Sequence, residues 1–206
     1  MNPHFIFNSI NSIQYYILNK NPQIAYTYLA KFSNLMRRIL QNSRINYISL
    51  EEELESLNLY MELENIRMEG ELKYSVEVDP GLSTKNTFIP SMILQPYVEN
   101  AILHGLLSKQ GDKEIQIRVK KEITHLYCEI EDNGIGREKA IELNNQRTKK
   151  HESTAMKATK ERLEILNHNS DSKLSIHIID KKDSKGNALG TKVQVFIPII
   201  KQEDTK

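Results

Sequence analysis

Four stretches of the chain carry side chains able to do chemistry. The first, Asn2-Pro3-His4-Phe5-Ile6-Phe7-Asn8-Ser9-Ile10-Asn11, sets one imidazole beside a proline, among aromatics and asparagines. A neutral imidazole is a competent nucleophile, so His4 can accept a transferred group. Asn8, one helical turn on, can hydrogen-bond that ring or a water, but an amide is no base at neutral pH and its part is to orient. Read alone, the same stretch is also a good helix start, with Asn2 as N-cap, Pro3 in the first turn and His4 exposed beside it.

The second stretch, Gln95-Pro96-Tyr97-Val98-Glu99-Asn100-Ala101-Ile102-Leu103-His104-Gly105, interrupts an apolar run with a carboxylate, an amide and an imidazole. Asn100 and His104 share a helix face, and a buried amide oxygen is a suitable hard ligand for Mg²⁺, which draws the rest of its shell from phosphates and water. An isolated Glu-Asn pair is as readily structural, with Asn100 bridging backbone and Glu99 on a solvated face. In the third stretch, Asp132-Asn133-Gly134-Ile135-Gly136, the acid can accept a hydrogen bond from an exocyclic amine. Its two glycines let backbone approach a ligand where a Cβ would clash, although Asp-Asn-Gly is also a common turn. The fourth, Gly190-Thr191-Lys192-Val193, can bring backbone close to a phosphate or simply complete a turn.

These groups need elements to hold them. Ile6, Ile10, Ile13 and Ile17 recur at helical spacing, and Asn19-Lys20-Asn21-Pro22 breaks the pattern. Asn21 can cap and Pro22 can open a second helix, whose Ala25, Tyr28, Phe32, Leu35 and Ile39 form its buried stripe. Such a hairpin has too little core to stand alone and is expected to associate with a second copy. Ser49 and Glu52 have capping-box spacing before a third helix with Leu50, Leu54, Leu57 and Met61 inward, ending near Gly70.

Beyond Gly70 the period changes to two. Tyr74, Val76 and Val78 alternate, as do Ile115, Ile117 and Val119, then Leu126, Cys128 and Ile130, then Leu174, Ile176 and Ile178, then Val193, Val195 and Ile197. An apolar helix over roughly 91 to 106 lies between the first two strands; a polar loop from about Glu138 to Glu152 and a helix ending near Asn167 lie between the third and fourth. The fold class is α+β: a helical hairpin over residues 1–45, then an α/β sandwich over 46–206 with helices on one face of a mixed five-stranded sheet.

Composition narrows the partners. With 28 basic against 27 acidic residues, the net charge of +1 sets up no field for nucleic acid or an anionic membrane face. Cys128 is the sole cysteine, so neither a disulfide framework nor a cysteine-based zinc site is available. No apolar run reaches the ~18 residues of a membrane span, and the N-terminus lacks a signal peptide's basic and apolar regions. Because the 206 residues open inside a helix, the chain is expected to be the cytoplasmic C-terminal part of a longer protein, with any membrane segment upstream.

In this order the stretches resemble the Bergerat-type ATP-binding domain shared by histidine kinases, type II topoisomerases, Hsp90 and MutL. More narrowly, Asn2 to Asn11, Leu50 to Arg67, Gln95 to Gly105, Asp132 to Gly136 and Gly190 to Thr191 resemble the LytS/YehU-type sensor histidine kinases, marked by an Asn-Pro-His-Phe-(Ile/Leu)-Phe-Asn box. The resemblance covers nearly the whole chain. It implies that His4 is the phosphoacceptor, Asn100 the Mg²⁺ ligand, Asp132 the adenine reader, Gly134 and Gly136 walls of the nucleotide pocket with His104 nearby, and Gly190 and Thr191 the last glycine box. It also implies a bacterial inner-membrane sensor, a homodimer through the hairpin and a response regulator receiver domain as partner.

One stretch departs from the pattern. Where the family carries a second Gly-x-Gly-Leu, this chain has Ser153-Thr154-Ala155-Met156, which loses access to positive φ and adds two Cβ atoms near the γ-phosphate. The Ser153 and Thr154 hydroxyls and the free N–H groups of the helix they open can face an anion instead, or Ser153 is only an N-cap. The leading expectation is ATP-dependent phosphorylation of His4 and transfer to an aspartate of a response regulator. The alternative is a nucleotide-binding signalling module without transfer. An Hsp90- or MutL-like ATPase fits poorly, since the glutamate it places one turn before the Mg²⁺-binding Asn is here Pro96. A first turn cut at Pro3 is expected to fray, favouring nucleotide binding over self-phosphorylation.

Overall fold

The computed structural model describes residues 3–19, 21–147 and 173–199. Helix α1 (Pro3–Leu18) turns into α2 (Pro22–Asn42), which starts as its sequence dictates, with Pro22 in the first turn and the Asn21 side chain accepting from Ile24 N. Helix α3 (Leu50–Arg67) begins on a complete capping box: Ser49 Oγ accepts from Glu52 N at 3.2 Å and Glu52 accepts from Ser49 N at 2.9 Å. A box of this kind stabilises a helix start by about 1 kcal/mol. The helix ends by a left-handed turn, in which Glu69 (φ 55°) and Gly70 (φ 86°) return their N–H groups to the carbonyls of Ile66 and Asn65.

Strands β2 (Leu72–Val78), β4 (Lys113–Lys121), β5 (His125–Asp132), β6 (Ser175–Lys182) and β7 (Ala188–Pro198) form a mixed sheet in the order β2-β4-β5-β7-β6. The β2–β4 pair is parallel and the others antiparallel. Every alternating residue named from the sequence lies in or against the core, which confirms the period and its phase. Leu57, Met61, Ile102 and Leu106 cover this face from the helices. The opposite face carries ion pairs, among them Arg118–Glu129 at 2.7 Å and Lys181–Glu131 at 2.7 Å, so the domain has two layers. A short antiparallel pair, β1 (Tyr47–Ser49) and β3 (Phe88–Pro90), was not visible in the sequence because three residues carry no readable period.

Helix α4 (Gln95–Asn100) runs into a π-helical turn (Ala101–Leu106), in which Leu107 N donates to Ile102 O. After β5 the chain enters α5 (Arg137–Arg147), where the sequence suggested a polar loop from Glu138. That helix has no apolar stripe; charge ties its first turn to β6 through Arg137–Asp180 and Lys182–Glu138. The expected helix ending near Asn167 lies outside the described residues.

The hairpin packs on α3 and shares its core. Phe5 meets Tyr60 at 5.1 Å and Phe32 at 6.1 Å between ring centroids, and the Tyr16 hydroxyl donates to Ile66 O at 2.8 Å. The buried stripe of α2 is the one its spacing implied. That of α1 is not: Phe5 and Ser9 are buried, with Ile13 and Tyr16 against the core, while Ile10 and Ile17 remain 44% and 60% exposed. An aromatic at position 5 and a hydroxyl that finds a carbonyl outweigh the isoleucine period, because the helix has two adjacent apolar stripes and only the partner surface selects between them.

Candidate functional site

Asp132 ends β5 with its carboxylate buried. Gly134 N donates to it at 2.7 Å, and the Thr191 backbone N–H donates from β7. Burial pushes its pKa up to about 6, opposed by those two N–H groups and by the Lys181 and Lys109 ammonium groups. Lys109 also donates to Asn133 O at 2.6 Å, and Asn133 anchors the turn by accepting from Glu114 N at 3.0 Å.

Backbone surrounds this carboxylate. A Cβ on Gly134 would fall 2.6 Å from Gly105 Cα and 2.7 Å from Asp132 Oδ1, and one on Gly105 would fall 3.1 Å from the same oxygen. At Gly190 (φ 117°) it would fall 2.1 Å from Asp132 O, so this position takes glycine alone. Ile135 N donates to Gly105 O at 3.1 Å, joining the Asp-Asn-Gly turn to the end of the π-helical turn. Gly136 (φ 78°) packs against Ala188.

The structure therefore brings Asp132, Gly134, Gly190 and Thr191 to one point and adds Gly105, which the sequence reading quoted in its box without giving it a role. A glycine inside an apolar helix was the available signal. Asn100 and His104 reach the same region along the continuous helix that ends at Gly105; both are half-buried. Its start has no side-chain cap of its own. The buried Glu53 carboxylate of α3 accepts there instead, from Met92 N at 2.9 Å and Leu94 N at 3.0 Å, across a turn in which Met92 has φ 56°. A Glu on the buried stripe of α3 was the overlooked signal.

His4 belongs to α1 and Asn8 follows one turn later, lining a cleft with Arg67 and Leu107 rather than joining the Asp132 cluster. Ser153 and Thr154 lie outside the described residues. The glycines let three segments close backbone to backbone around the Asp132 carboxylate, and the space a Cβ would take at Gly134 and Gly190 is filled by protein atoms.

Comparison with known proteins bears on both halves. The Histidine kinase family model matches residues 1–72, which include the His4 box and α3. The LytS sensor histidine kinase/phosphatase of Staphylococcus aureus is 34% identical over 137 residues, 66% of this chain and 23% of that protein. Over these residues the chain is similar to histidine kinases. Its relatives also include an uncharacterised sensor-like histidine kinase of Staphylococcus epidermidis, 34% identical over 65% of this chain and 25% of its own length. The sensor histidine kinase BtsS of Escherichia coli is 32% identical over 65% of this chain and 23% of its own. The chain thus spans about a quarter of the length of these relatives. Among solved structures, the histidine kinase domain of the blue-light activated kinase of Erythrobacter litoralis shares its fold, with a TM-score of 0.50 at 17% identity over 77% of this chain and 67% of that one.

Proposed function

We propose that the chain is the kinase core of a two-component sensor, in which ATP phosphorylates His4 and the phosphoryl group then passes to an aspartate of a response regulator receiver domain. The observation that carries this reading is the buried Asp132 carboxylate enclosed by Gly105, Gly134 and Gly190, on the same chain as a His4 box within the matched residues. The carboxylate takes the exocyclic amine of adenine, and the glycine backbone takes the ring faces. An imidazole nitrogen of His4 attacks the γ-phosphorus, the bond to the β,γ-bridging oxygen breaks, and ADP leaves. Asn8 orients the ring.

Among the described residues no group of three or more His, Cys, Asp or Glu could hold a metal ion. Asn100 with phosphate and water suits Mg²⁺, a hard ion that keeps much of its hydration. Bound there, Mg²⁺ would neutralise charge on the phosphates. The division into a hairpin, residues 1–45, and an ATP-binding domain, 46–206, belongs to this reading. So does a homodimer through the hairpin, supported by exposed Phe7, Ile17 and Leu18 on α1 and Tyr26, Leu29 and Leu40 on α2. No helix among the described residues is long and apolar enough to cross a membrane, and a sensor anchored upstream with this part in the cytoplasm is proposed.

The test compares the chain with its His4→Gln variant, measuring ADP or ATP binding by calorimetry and acid-labile phosphate after incubation with ATP and Mg²⁺. Unchanged binding with complete loss of acid-labile phosphate is the expected result. Acid-labile phosphate that persists in the variant would overturn His4, and binding without any transfer, in a longer dimeric form too, would favour the signalling module.

A further inference from the structure

The helix that carries Asn100 and Gly105 is held at both ends by groups outside itself. At its far end Ile135 N donates to Gly105 O at 3.1 Å and Lys109 Nζ donates to Asn133 O at 2.6 Å, which ties that end to the turn after β5. The near end is the turn from Ser91 to Leu94, which joins β3 to α4. Ser91 N donates to Asn46 O at 2.9 Å, and Ser91 Oγ donates at 2.7 Å to the carbonyl of Asn42, the last residue of α2. One residue on, the two oxygens of Glu53 of α3 accept from Met92 N at 2.9 Å and from Leu94 N at 3.0 Å.

A helix start needs no buried carboxylate from another element, since a local Ser, Asn or Asp can cap it and burying a charge is costly. Glu53 is nevertheless 1% exposed, and Ser91 is fully buried beside it. Charge-assisted hydrogen bonds from both oxygens fix the turn against α3 in distance and direction. Met92, with φ 56°, holds a left-handed conformation that a side chain adopts only where its surroundings impose it. From Leu94 to Asn100 the chain is continuous helix of less than two turns, so a shift of the turn carries Asn100 with it. The π-helical turn lies between Asn100 and the far anchor, and there the helix can take up such a shift before Gly105.

We propose that Glu53 and Ser91 are positioning residues for the cation of the bound nucleotide: they clamp the start of the nucleotide helix to α3 and to the end of α2, and so set where Asn100 stands. The inference rests on the reading of Asn100 as the Mg²⁺ ligand. Contacts at Asp132 depend on the other end of the helix and are spared.

Glu53→Gln keeps the size of the side chain, loses one acceptor and turns an amide NH₂ toward a backbone donor. ADP affinity is measured by calorimetry with Mg²⁺ and with EDTA, and the ratio of the two is the gain from the cation. In the folded variant that gain should fall by about 5-fold or more. The affinity in EDTA should stay within about 2-fold of wild type. Amide hydrogen exchange should quicken over residues 92 to 100 and keep its wild-type rate at Ile135, whose N–H is bound to Gly105 O. Ser91→Ala removes only the hydroxyl tie to α2 and should lower the gain by a smaller factor; it supplies the decisive comparison if Glu53→Gln does not fold. An unchanged gain in a folded variant, or equal losses with and without Mg²⁺, would overturn the clamp and leave the nucleotide reading intact. A wild-type chain whose ADP affinity gains nothing from Mg²⁺ would overturn the reading of Asn100, and the proposal with it.

Discussion

At the scale of the residue, Asp132 has two competing demands. In the proposed role of adenine reader its ionised form is the stronger acceptor, and burial holds its pKa near 6 against an ordinary 3.8. For stability the sign follows from a raised folded pKa: the contribution is fully present below 3.8 and is lost as pH rises through about 6. For the proposed ligand the sign is reversed, because the ionised form is the stronger acceptor. ADP affinity measured by calorimetry should be flat above pH 7 and should weaken about tenfold per unit well below pH 6. Asp132→Asn, neutral throughout, should bind more weakly and lose that step; a wild-type profile without the step would exclude Asp132 as the adenine reader.

At the scale of the element, α5 shows what charge does where apolar periodicity is missing. Arg137 Nε and Nη2 donate to Asp180 Oδ1 and Oδ2, both at 2.7 Å, and Lys182 pairs with Glu138 at 2.9 Å. Exposed ion pairs contribute only about 0.2 to 1 kcal/mol, with two-pronged arginine pairs at the upper end. Here they hold the helix that begins directly after Gly136, and so the loop whose Gly134 touches Gly105. Arg137→Ala should weaken ADP binding by about 2- to 5-fold with little change in melting temperature. The swap Arg137→Asp/Asp180→Arg should recover most of it, and binding unchanged in the single variant would show that the loop keeps its place unaided.

At the scale of the whole molecule, Glu64 marks where hairpin and sheet domain share a core. Tyr28 of α2, Tyr60 and Arg67 of α3 and Glu99 of α4 surround it in charge, and burial is the largest cause of its rise to about 7, with Arg67 opposing and Glu99 adding. A folded pKa above the ordinary 4.5 contributes stability that is complete below 4.5 and lost as pH rises through 7. The span corresponds to about 3 kcal/mol at most. Denaturant unfolding at pH 5 and pH 8 should show Glu64→Gln gaining relative to wild type at the higher pH; an equal difference at both would mean Glu64 is not strained by its burial. Removing Arg67 alone should be more damaging, since it strands a buried carboxylate.

Local chemistry was legible because it needs few neighbours. The Ser49 capping box, the Asn21-Pro22 helix start and the alternation in five strands each act within a few residues, where backbone geometry and side-chain type decide the outcome alone. Tertiary structure decided what depends on who the neighbour is. It chose Phe5 over Ile10 as the inward residue of α1, lent the Glu53 carboxylate to a helix start without its own cap, and set Gly105 against Asp132 across two segments distant in sequence. Burial, which shifts the Asp132 and Glu64 carboxyls, is a property of packing and leaves no mark in composition or period.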